Sequence, residues 1–151
     1  MDYMKEAVKE AYIGIRNGHG GPFGTVIVKN GKIVGRGHNC VVIKKDPTCH
    51  GEMEAIREAC NKIESFDLKD CELYTTAEPC PMCLGAILWS NISKVYYGCS
   101  REDTEKIGFR DDKFYDYLEK KSDLLSLEVT GYEECAKLFK DYSEIEEKIF
   151  Y

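Results

Sequence analysis

The spacing of one histidine, one glutamate and two cysteines constrains the fold of this chain more than any other feature. His50-Gly51-Glu52 is followed, 30 residues after His50, by Pro79-Cys80-Pro81-Met82-Cys83. One imidazole and two thiolates form the donor set of a metal site with one open coordination position, as in catalytic zinc sites. Any fold that the chain adopts has to bring these two segments together.

Both segments lie at predicted helix starts. Helical spacing of apolar residues predicts one helix from residue 49 or 50 to about Glu64 and another over Pro81–Ser90. A helix N-terminus carries unpaired N–H groups and partial positive charge, which favours the thiolate form of cysteine. One helical turn would place the sulfurs of Cys80 and Cys83 on one side, with His50 as the third ligand from the facing helix.

The other elements are predicted from periodicity, β-branched runs and turn signals. The chain is expected to form a helix over 2–17, strands over 25–28 and 32–37 joined at Asn30-Gly31, strands over 71–76, 94–99 and 124–130, and a terminal helix over 132–151. Residues 101–121 are charged and less periodic, with at most short helices expected. Because helices follow strands, we expect one α/β domain over 1–151, a three-layer α/β/α sandwich with a mixed sheet of about five strands.

Charge argues against a nucleic-acid partner. Residues 1–100 carry 12 acidic and 12 basic side chains, and residues 101–151 carry 15 acidic and 9 basic, which gives the whole net charge of −6. Proteins that bind nucleic acid usually show a basic face, because neutralising phosphate dominates their affinity. A small neutral substrate therefore fits this chain better than tRNA or DNA.

The apolar pattern and the cysteines indicate a cytoplasmic protein. No run of 18 apolar residues is long enough to span a membrane, and the N-terminus lacks the pattern of a signal peptide. Eight cysteines without an export signal are expected to be reduced thiols, of which a subset binds metal. His19 and His38 are expected to be turn or surface residues rather than ligands.

The pattern also assigns a role to Glu52. A mixed nitrogen and sulfur ligand set favours Zn²⁺, one ion per chain. Glu52 stands two residues from His50, so it can reach water at the metal without being a ligand. It is expected to take a proton from that water and return it to the substrate, so that one carboxylate serves as base and then as acid. In a structural zinc site Cys49 would supply a fourth ligand, but adjacent residues on a helix diverge by about 100°.

The chain resembles the guanine deaminase branch of the cytidine deaminase-like family over most of its length. The pattern H-x-E…P-C-x-x-C is the signature of zinc-dependent base deaminases. The matching stretches are Gly20–Gly24, Gly37–Asn39, Asp46–Thr48, His50–Glu52, Ala55–Arg57, Glu78–Ile87, Gly108-Phe109 and the final tyrosine. The resemblance implies the cytidine deaminase-like fold, deamination of guanine to xanthine, zinc held by His50, Cys80 and Cys83, and proton transfer by Glu52.

The same resemblance implies the substrate-binding residues. Asn39 would hydrogen bond to a carbonyl or ring nitrogen of the purine, and the backbone N–H of Gly51 would serve a substrate carbonyl. Phe23 and Trp89 would line the pocket. Asp111, chosen over Asp112 by ungapped counting, would read the guanine edge. The resemblance further implies a homodimer with exchanged segments from the C-terminal region 101–151, in which Tyr151 closes the site of its own or the partner subunit.

Four other functions stay open at this point. The chain could deaminate another small base such as cytosine, a triazine or a pterin, by the same chemistry. It could act on adenosine in tRNA, or on guanosine or another nucleoside if the pocket has room for ribose. It could instead be a non-catalytic binding module stabilised by zinc, in which Glu52 is dispensable.

Overall fold

The structure is a computed structural model that describes residues 1–151 and places a four-stranded sheet between helices. The helices are α1 (Tyr3–Arg16), α2 (Val41–Lys44), α3 (Gly51–Ile63), α4 (Pro81–Trp89), α5 (Arg101–Lys106), α6 (Asp111–Leu118) and α7 (Tyr132–Ser143). The strands are β1 (Gly24–Lys29), β2 (Lys32–His38), β3 (Cys71–Ala77) and β4 (Lys94–Cys99). The first 100 residues therefore follow the predicted order, apart from the short helix α2.

The strands form a mixed sheet in the order β2-β1-β3-β4. Strand β1 pairs antiparallel with both β2 and β3, and β3 pairs in parallel with β4. The turn between β1 and β2 holds Asn30 at φ 50° and Gly31 at φ 73°. These are the left-handed conformations that a tight hairpin turn requires, and the Asn-Gly pair adopts them readily.

Successive residues along the strands point to opposite faces of the sheet, so each strand contributes apolar side chains to both faces. Val26 and Val28 pack with Ala7 of α1 on one face. Ile27 and Leu73 point to the other face, where they pack with α3 and with Ile87 of α4 in the larger core. The sheet is thus covered on both faces, and the predicted three-layer α/β/α sandwich is confirmed.

Glycines in β2 bring α3 close to the sheet. A Cβ at Gly35 would lie 2.3 Å from the carbonyl oxygen of Ala55, and one at Gly37 would lie 2.4 Å from that of Gly51. A Cβ added to Gly51 itself would lie 3.1 Å from the carbonyl oxygen of Phe23. The start of α3 is therefore seated directly against the strands, which fixes the backbone of residues 50–52.

The sheet has four strands rather than about five, because residues 124–130 form no strand. Their side chains are exposed, and an alternating segment becomes a strand only where a neighbouring strand pairs with it. The terminal helix is also shorter than predicted and ends at Ser143, where the Lys148 ammonium donates to the last carbonyl oxygens. No helix has the length and apolar character needed to cross a membrane.

Candidate active site

Three predicted ligands meet at the facing starts of α3 and α4. His50 Nδ1 lies 3.6 Å from Cys80 Sγ. One ligand atom each from His50, Cys80 and Cys83 lies within 4.8 Å of the others. Tetrahedral zinc with bonds of about 2.0–2.3 Å requires ligand atoms roughly 3.5 Å apart, so this donor set fits Zn²⁺ with small adjustments.

His50 and Cys80 occupy equivalent positions at the starts of their helices. His50 and Cys80 are both N-cap residues with extended backbone, at φ −73°, ψ 161° and φ −68°, ψ 167°. Neither side chain caps its own helix, so both remain available as ligands. Pro81 begins α4, where its missing N–H costs nothing because the first helical N–H groups have no partner within the helix.

The two cysteines are poised to bind a cation. Hydrogen bonding from Cys83, together with the neighbouring His50, lowers the pKa of Cys80 to about 4 in spite of burial. The same hydrogen bond and burial beside Glu52 raise the pKa of Cys83. One sulfur is therefore a thiolate before metal arrives, and the second loses its proton when metal binds.

Glu52 is 5% exposed and lies beside this cluster. Burial raises the pKa of Glu52 to about 7, and the Cys80 thiolate adds to the rise. A carboxyl group that titrates near neutrality can both accept and donate a proton under ordinary conditions. The position and the pKa of Glu52 fit a proton carrier rather than a fourth ligand.

A cavity of about 600 Å³ opens in front of the cluster. His50, Glu52 and Cys80 lie on its floor, and Asn39 and Phe23 lie on its walls. Asn39 is 4% exposed, and its Oδ1 accepts a hydrogen bond from the backbone N–H of Val41 at 3.1 Å. That bond fixes the amide and leaves Nδ2, which has no partner in the chain, to donate into the cavity.

Asp111 is the second carboxylate of the cavity. It begins α6 and lines the cavity, whereas its neighbour Asp112 lies outside and interacts with Glu105. Burial, together with the nearby Cys80, raises the pKa of Asp111. Ungapped counting along the sequence selected Asp111 over Asp112, and Asp111 is the one of the two that lines the cavity.

Two polar contacts hold α5 and α6 over the metal cluster. The hydroxyl of Tyr115 donates to the carbonyl oxygen of Pro79 at 2.6 Å. Glu78, which lines the cavity, accepts from the backbone N–H of Arg101 at 3.1 Å. The Arg101 guanidinium also lies 4.2 Å from the centre of the Tyr115 ring. These contacts tie the element that carries Asp111 to the loop that carries Cys80.

Trp89 and Tyr151 do not line the cavity of this chain. Trp89 is the last residue of α4, about 13 Å along the helix axis from Cys80, and is 65% exposed. Tyr151 is 75% exposed, and its ring lies 5.8 Å from Trp89 and 6.0 Å from Phe66. The expectation that Trp89 lines the pocket is therefore corrected for the single chain. Gly51 is buried and is not among the residues that line the cavity, although its neighbours His50 and Glu52 both are.

Several residues that line the cavity were not predicted as pocket residues, although Pro47, Glu78, Met82 and Phe109 lie in the stretches that match the family. They are Val41, Val42, Pro47, Glu78, Met82, Phe109, Arg110 and Phe114. Phe109 meets Phe23 edge to face, with ring centres 4.8 Å apart. A Cβ at Gly21 would come within 2.7 Å of Phe109, so the glycine pair before Phe23 was the available signal for this contact.

Comparison with known proteins agrees with this site. Residues 1–99 match the family model for the cytidine and deoxycytidylate deaminase zinc-binding region. Guanine deaminase from Bacillus subtilis is 47% identical over 118 residues, which cover 78% of this chain and 76% of that protein. The X-ray structure of guanine deaminase from Bacillus subtilis superposes with a TM-score of 0.89 at 38% identity, covering 99% of this chain and 97% of the other.

Two further proteins are similar to this chain at lower identity. A tRNA-specific adenosine deaminase from Buchnera aphidicola is 37% identical over 140 residues, which cover 93% of this chain and 91% of that protein. A mutant protein crystallised in complex with 8-azaguanine superposes with a TM-score of 0.69 at 31% identity. The alignment covers 72% of this chain and 64% of the 8-azaguanine-bound chain.

Proposed function

The chain belongs to the cytidine and deoxycytidylate deaminase family, and we propose that it hydrolyses guanine to xanthine and ammonia. The placement of Asp111 in the same cavity as Glu52 and Asn39 carries most weight for guanine as the substrate. Guanine presents N–H donors along one edge, and a carboxylate accepts hydrogen bonds from them. Adenine and cytosine lack this pattern of donors, so the site would leave Asp111 unpaired with those bases.

The cavity walls would orient the base over the metal cluster. Asn39 Nδ2 would donate to the purine carbonyl or to a ring nitrogen, because its Oδ1 is already engaged by Val41. Asp111 would accept from the N–H groups along the guanine edge. Phe23, held by its edge-to-face contact with Phe109, offers an apolar surface for the ring. The backbone N–H of Gly51 is a further donor for a substrate carbonyl.

Glu52 would move the proton in both halves of the reaction. When bound by His50, Cys80 and Cys83, the zinc ion supplies an activated water molecule. Glu52 accepts a proton as water adds to C2 of guanine and passes that proton to the adjacent ring nitrogen. It then carries a second proton to the amine, which leaves as ammonia while the carbonyl of xanthine forms. The burial of Glu52 beside the ligands raises the pKa of its carboxyl group, which favours a group that both accepts and donates a proton.

The tRNA relative supports a second candidate, adenosine in tRNA. Its identity covers almost the whole chain, and the cavity is open on one side. Charge favours guanine, because the chain carries a net charge of −6 and tRNA binding requires phosphate neutralisation. Guanine deaminase from Bacillus subtilis also has the higher identity to this chain, at 47% over 118 residues against 37% over 140 residues for the Buchnera protein and 45% over 95 residues for a tRNA-specific adenosine deaminase from Aquifex aeolicus.

We further propose a homodimer in which C-terminal segments are exchanged. The tail, defined as residues 119–151, exposes many apolar side chains, among them Leu127, Val129 and Phe139. The α4 surface around Leu88 and Trp89 is also exposed and apolar. A second copy that covers both surfaces would remove this area from water and bring Trp89 and Tyr151 to an open cavity.

The proposal extends to the metal content of the protein and to its location in the cell. Each chain would hold one catalytic zinc ion through His50, Cys80 and Cys83. All eight cysteines are free, which suits a reducing compartment, and we propose that the protein acts on free guanine in purine catabolism in the cytoplasm.

A substrate panel tests the proposed function. Zinc-loaded protein would be given guanine, cytosine, adenine, guanosine, ammeline and a tRNA, with ammonia release measured for each. Release from guanine with a kcat/KM at least about 100-fold above cytosine and adenine is expected, because those bases leave the Asp111 carboxylate without its donors, whereas release from guanosine would show that the cavity has room for ribose. Release from cytosine or ammeline alone would keep the chemistry and overturn the substrate. Inosine formation in tRNA at low salt, without release from guanine, would favour the second candidate.

A further inference from the structure

A second cluster of metal-binding side chains lies behind the wall of the cavity. It consists of His19 in the loop after α1, His38 at the end of β2 and Cys40 just before α2. One ligand atom from each of these residues lies within 4.8 Å of the others. His19 and His38 are half-buried and Cys40 is 9% exposed, so the two histidines are more than the turn or surface residues expected from the sequence.

The hydrogen bonds of this cluster orient one imidazole as a ligand. His38 Nδ1 lies 3.4 Å from Glu10 Oε2, and His19 Nδ1 lies 2.9 Å from His38 Nε2. An ionised carboxylate can only accept, so the proton of His38 is on Nδ1 and its Nε2 lone pair faces His19 Nδ1. A carboxylate behind a histidine is the usual second partner of a metal-binding imidazole. Glu10 is itself held 3.4 Å from the Arg36 guanidinium.

We propose that His19, His38 and Cys40 form a second metal site, which binds Zn²⁺ or a similar borderline-soft divalent ion. The metal replaces the hydrogen bond between the two histidines, and the proton of His19 moves to its outer nitrogen. Cys40 releases its proton and binds as the thiolate. Three protein ligands would leave a position for water.

The second site is separate from the first in sequence and in its ligands, but it adjoins the cavity wall. Asn39, which lines the cavity, lies between His38 and Cys40. The His19 carbonyl oxygen accepts from the N–H groups of Val42 and Ile43 at 3.0 and 3.2 Å. A metal ion held by His19, His38 and Cys40 would therefore fasten the loop after α1 to the segment that carries Asn39. Binding should stabilise the folded chain, because the ion binds only where the three side chains are assembled.

Metal content tests the site without any substrate. The zinc-loaded protein would be equilibrated with excess Zn²⁺, freed of unbound metal by desalting and measured by mass spectrometry of the metal. The expected result is two zinc ions per chain in the wild type and one in His19→Gln, His38→Gln and Cys40→Ser. Cys135→Ser, which removes an exposed thiol on α7, serves as the matched control and should keep two.

Thermal unfolding gives an independent readout. Excess Zn²⁺ should raise the Tm of the wild type and of Cys135→Ser, and should leave the Tm of His19→Gln unchanged. His19→Gln decides the matter if Cys40→Ser or His38→Gln fails to fold, because His19 lies in a partly exposed loop. A wild type that retains a single zinc ion, or a folded His19→Gln that retains two, would overturn the proposal. Neither result depends on whether guanine is the substrate.

Discussion

Asp111 and Asp112 are adjacent acids of which only one faces the cavity. We predict that Asp111→Asn lowers kcat/KM for guanine by about 10- to 100-fold, because a charged hydrogen-bond acceptor for the base contributes about 1.5–3 kcal/mol. Asp112→Asn is the matched control and should change kcat/KM by less than about 2-fold, since surface substitutions have small effects. Steady-state kinetics on both variants makes the comparison. Equal losses in the two variants would contradict the assignment of Asp111.

The residues of the metal cluster could be predicted from spacing alone, because ligand geometry permits few alternatives. His50, Cys80 and Cys83 come together as expected, and Glu52 lies beside them. Arg110 was missed as a cavity residue because many kinds of side chain can line a cavity and no spacing rule identifies them, whereas Phe109 had left an indirect signal in the glycine that it packs against. Trp89 could not be placed from the sequence, since helical spacing does not show how far along α4 the cavity extends.

At the scale of elements, the seating of α3 against β2 fixes the geometry of the site. We predict that Gly37→Ala lowers the free energy of unfolding by about 2–3 kcal/mol, a typical cost of overpacking. The new methyl group would lie 2.4 Å from Gly51 O and 2.5 Å from Ala55 N, so α3 would have to move away from the strand. Because α3 begins directly after His50, zinc affinity should fall as well. Chemical denaturation and zinc competition measure the two effects.

Gly98→Ala is the control for this prediction. Gly98 also lies in a strand, but the nearest atom to its added methyl group is Thr76 O at 3.0 Å. Neither Gly98 nor Thr76 is next to a metal ligand in the chain. It should cost less stability and leave zinc affinity unchanged. A Gly37→Ala protein with wild-type stability and zinc affinity would show that the close approach of α3 to β2 does not position the site.

Helices, strands and turns could be predicted where the residues of the element itself determine its backbone conformation. The Asn30-Gly31 turn matches its left-handed backbone, and the strands around it carry β-branched residues on both buried faces. The segment 124–130 has the alternation of a strand but no neighbour to pair with. An alternating sequence shows which side chains are apolar, but whether the segment becomes a strand depends on a neighbouring strand elsewhere in the molecule. The sequence of residues 124–130 alone therefore could not show whether they form a strand.

At the scale of the whole molecule, the tail lies away from the cavity of its own chain. Tyr151 lies outside the cavity, and the apolar side chains of residues 119–151 are largely exposed. We predict that deletion of Tyr151 lowers kcat/KM for guanine by about 10-fold or more without changing zinc content, because a closing hydrogen-bonding residue is lost. Kinetics and metal analysis of the shortened chain check this.

Complementation distinguishes an exchanged tail from one that serves its own chain. Glu52→Gln protein, which keeps Tyr151, would be refolded with the chain that lacks Tyr151 but keeps Glu52. If Tyr151 acts in the partner, half of the mixed dimers' sites are complete, and random pairing restores about a quarter of wild-type activity. No recovery in a mixture shown to contain mixed dimers would place Tyr151 in its own subunit.

The most direct test of the whole account measures xanthine, ammonia and zinc in the same samples of wild-type and Glu52→Gln protein. The wild type should convert guanine to xanthine with one ammonia released per guanine. Glu52→Gln should retain its zinc and the wild-type fold but lose activity by about 1000-fold or more, since the carboxylate assigned to carry the proton is gone. Activity retained by Glu52→Gln, or no xanthine from wild-type protein that holds zinc, would contradict the assignment of this site as a guanine-deaminating centre.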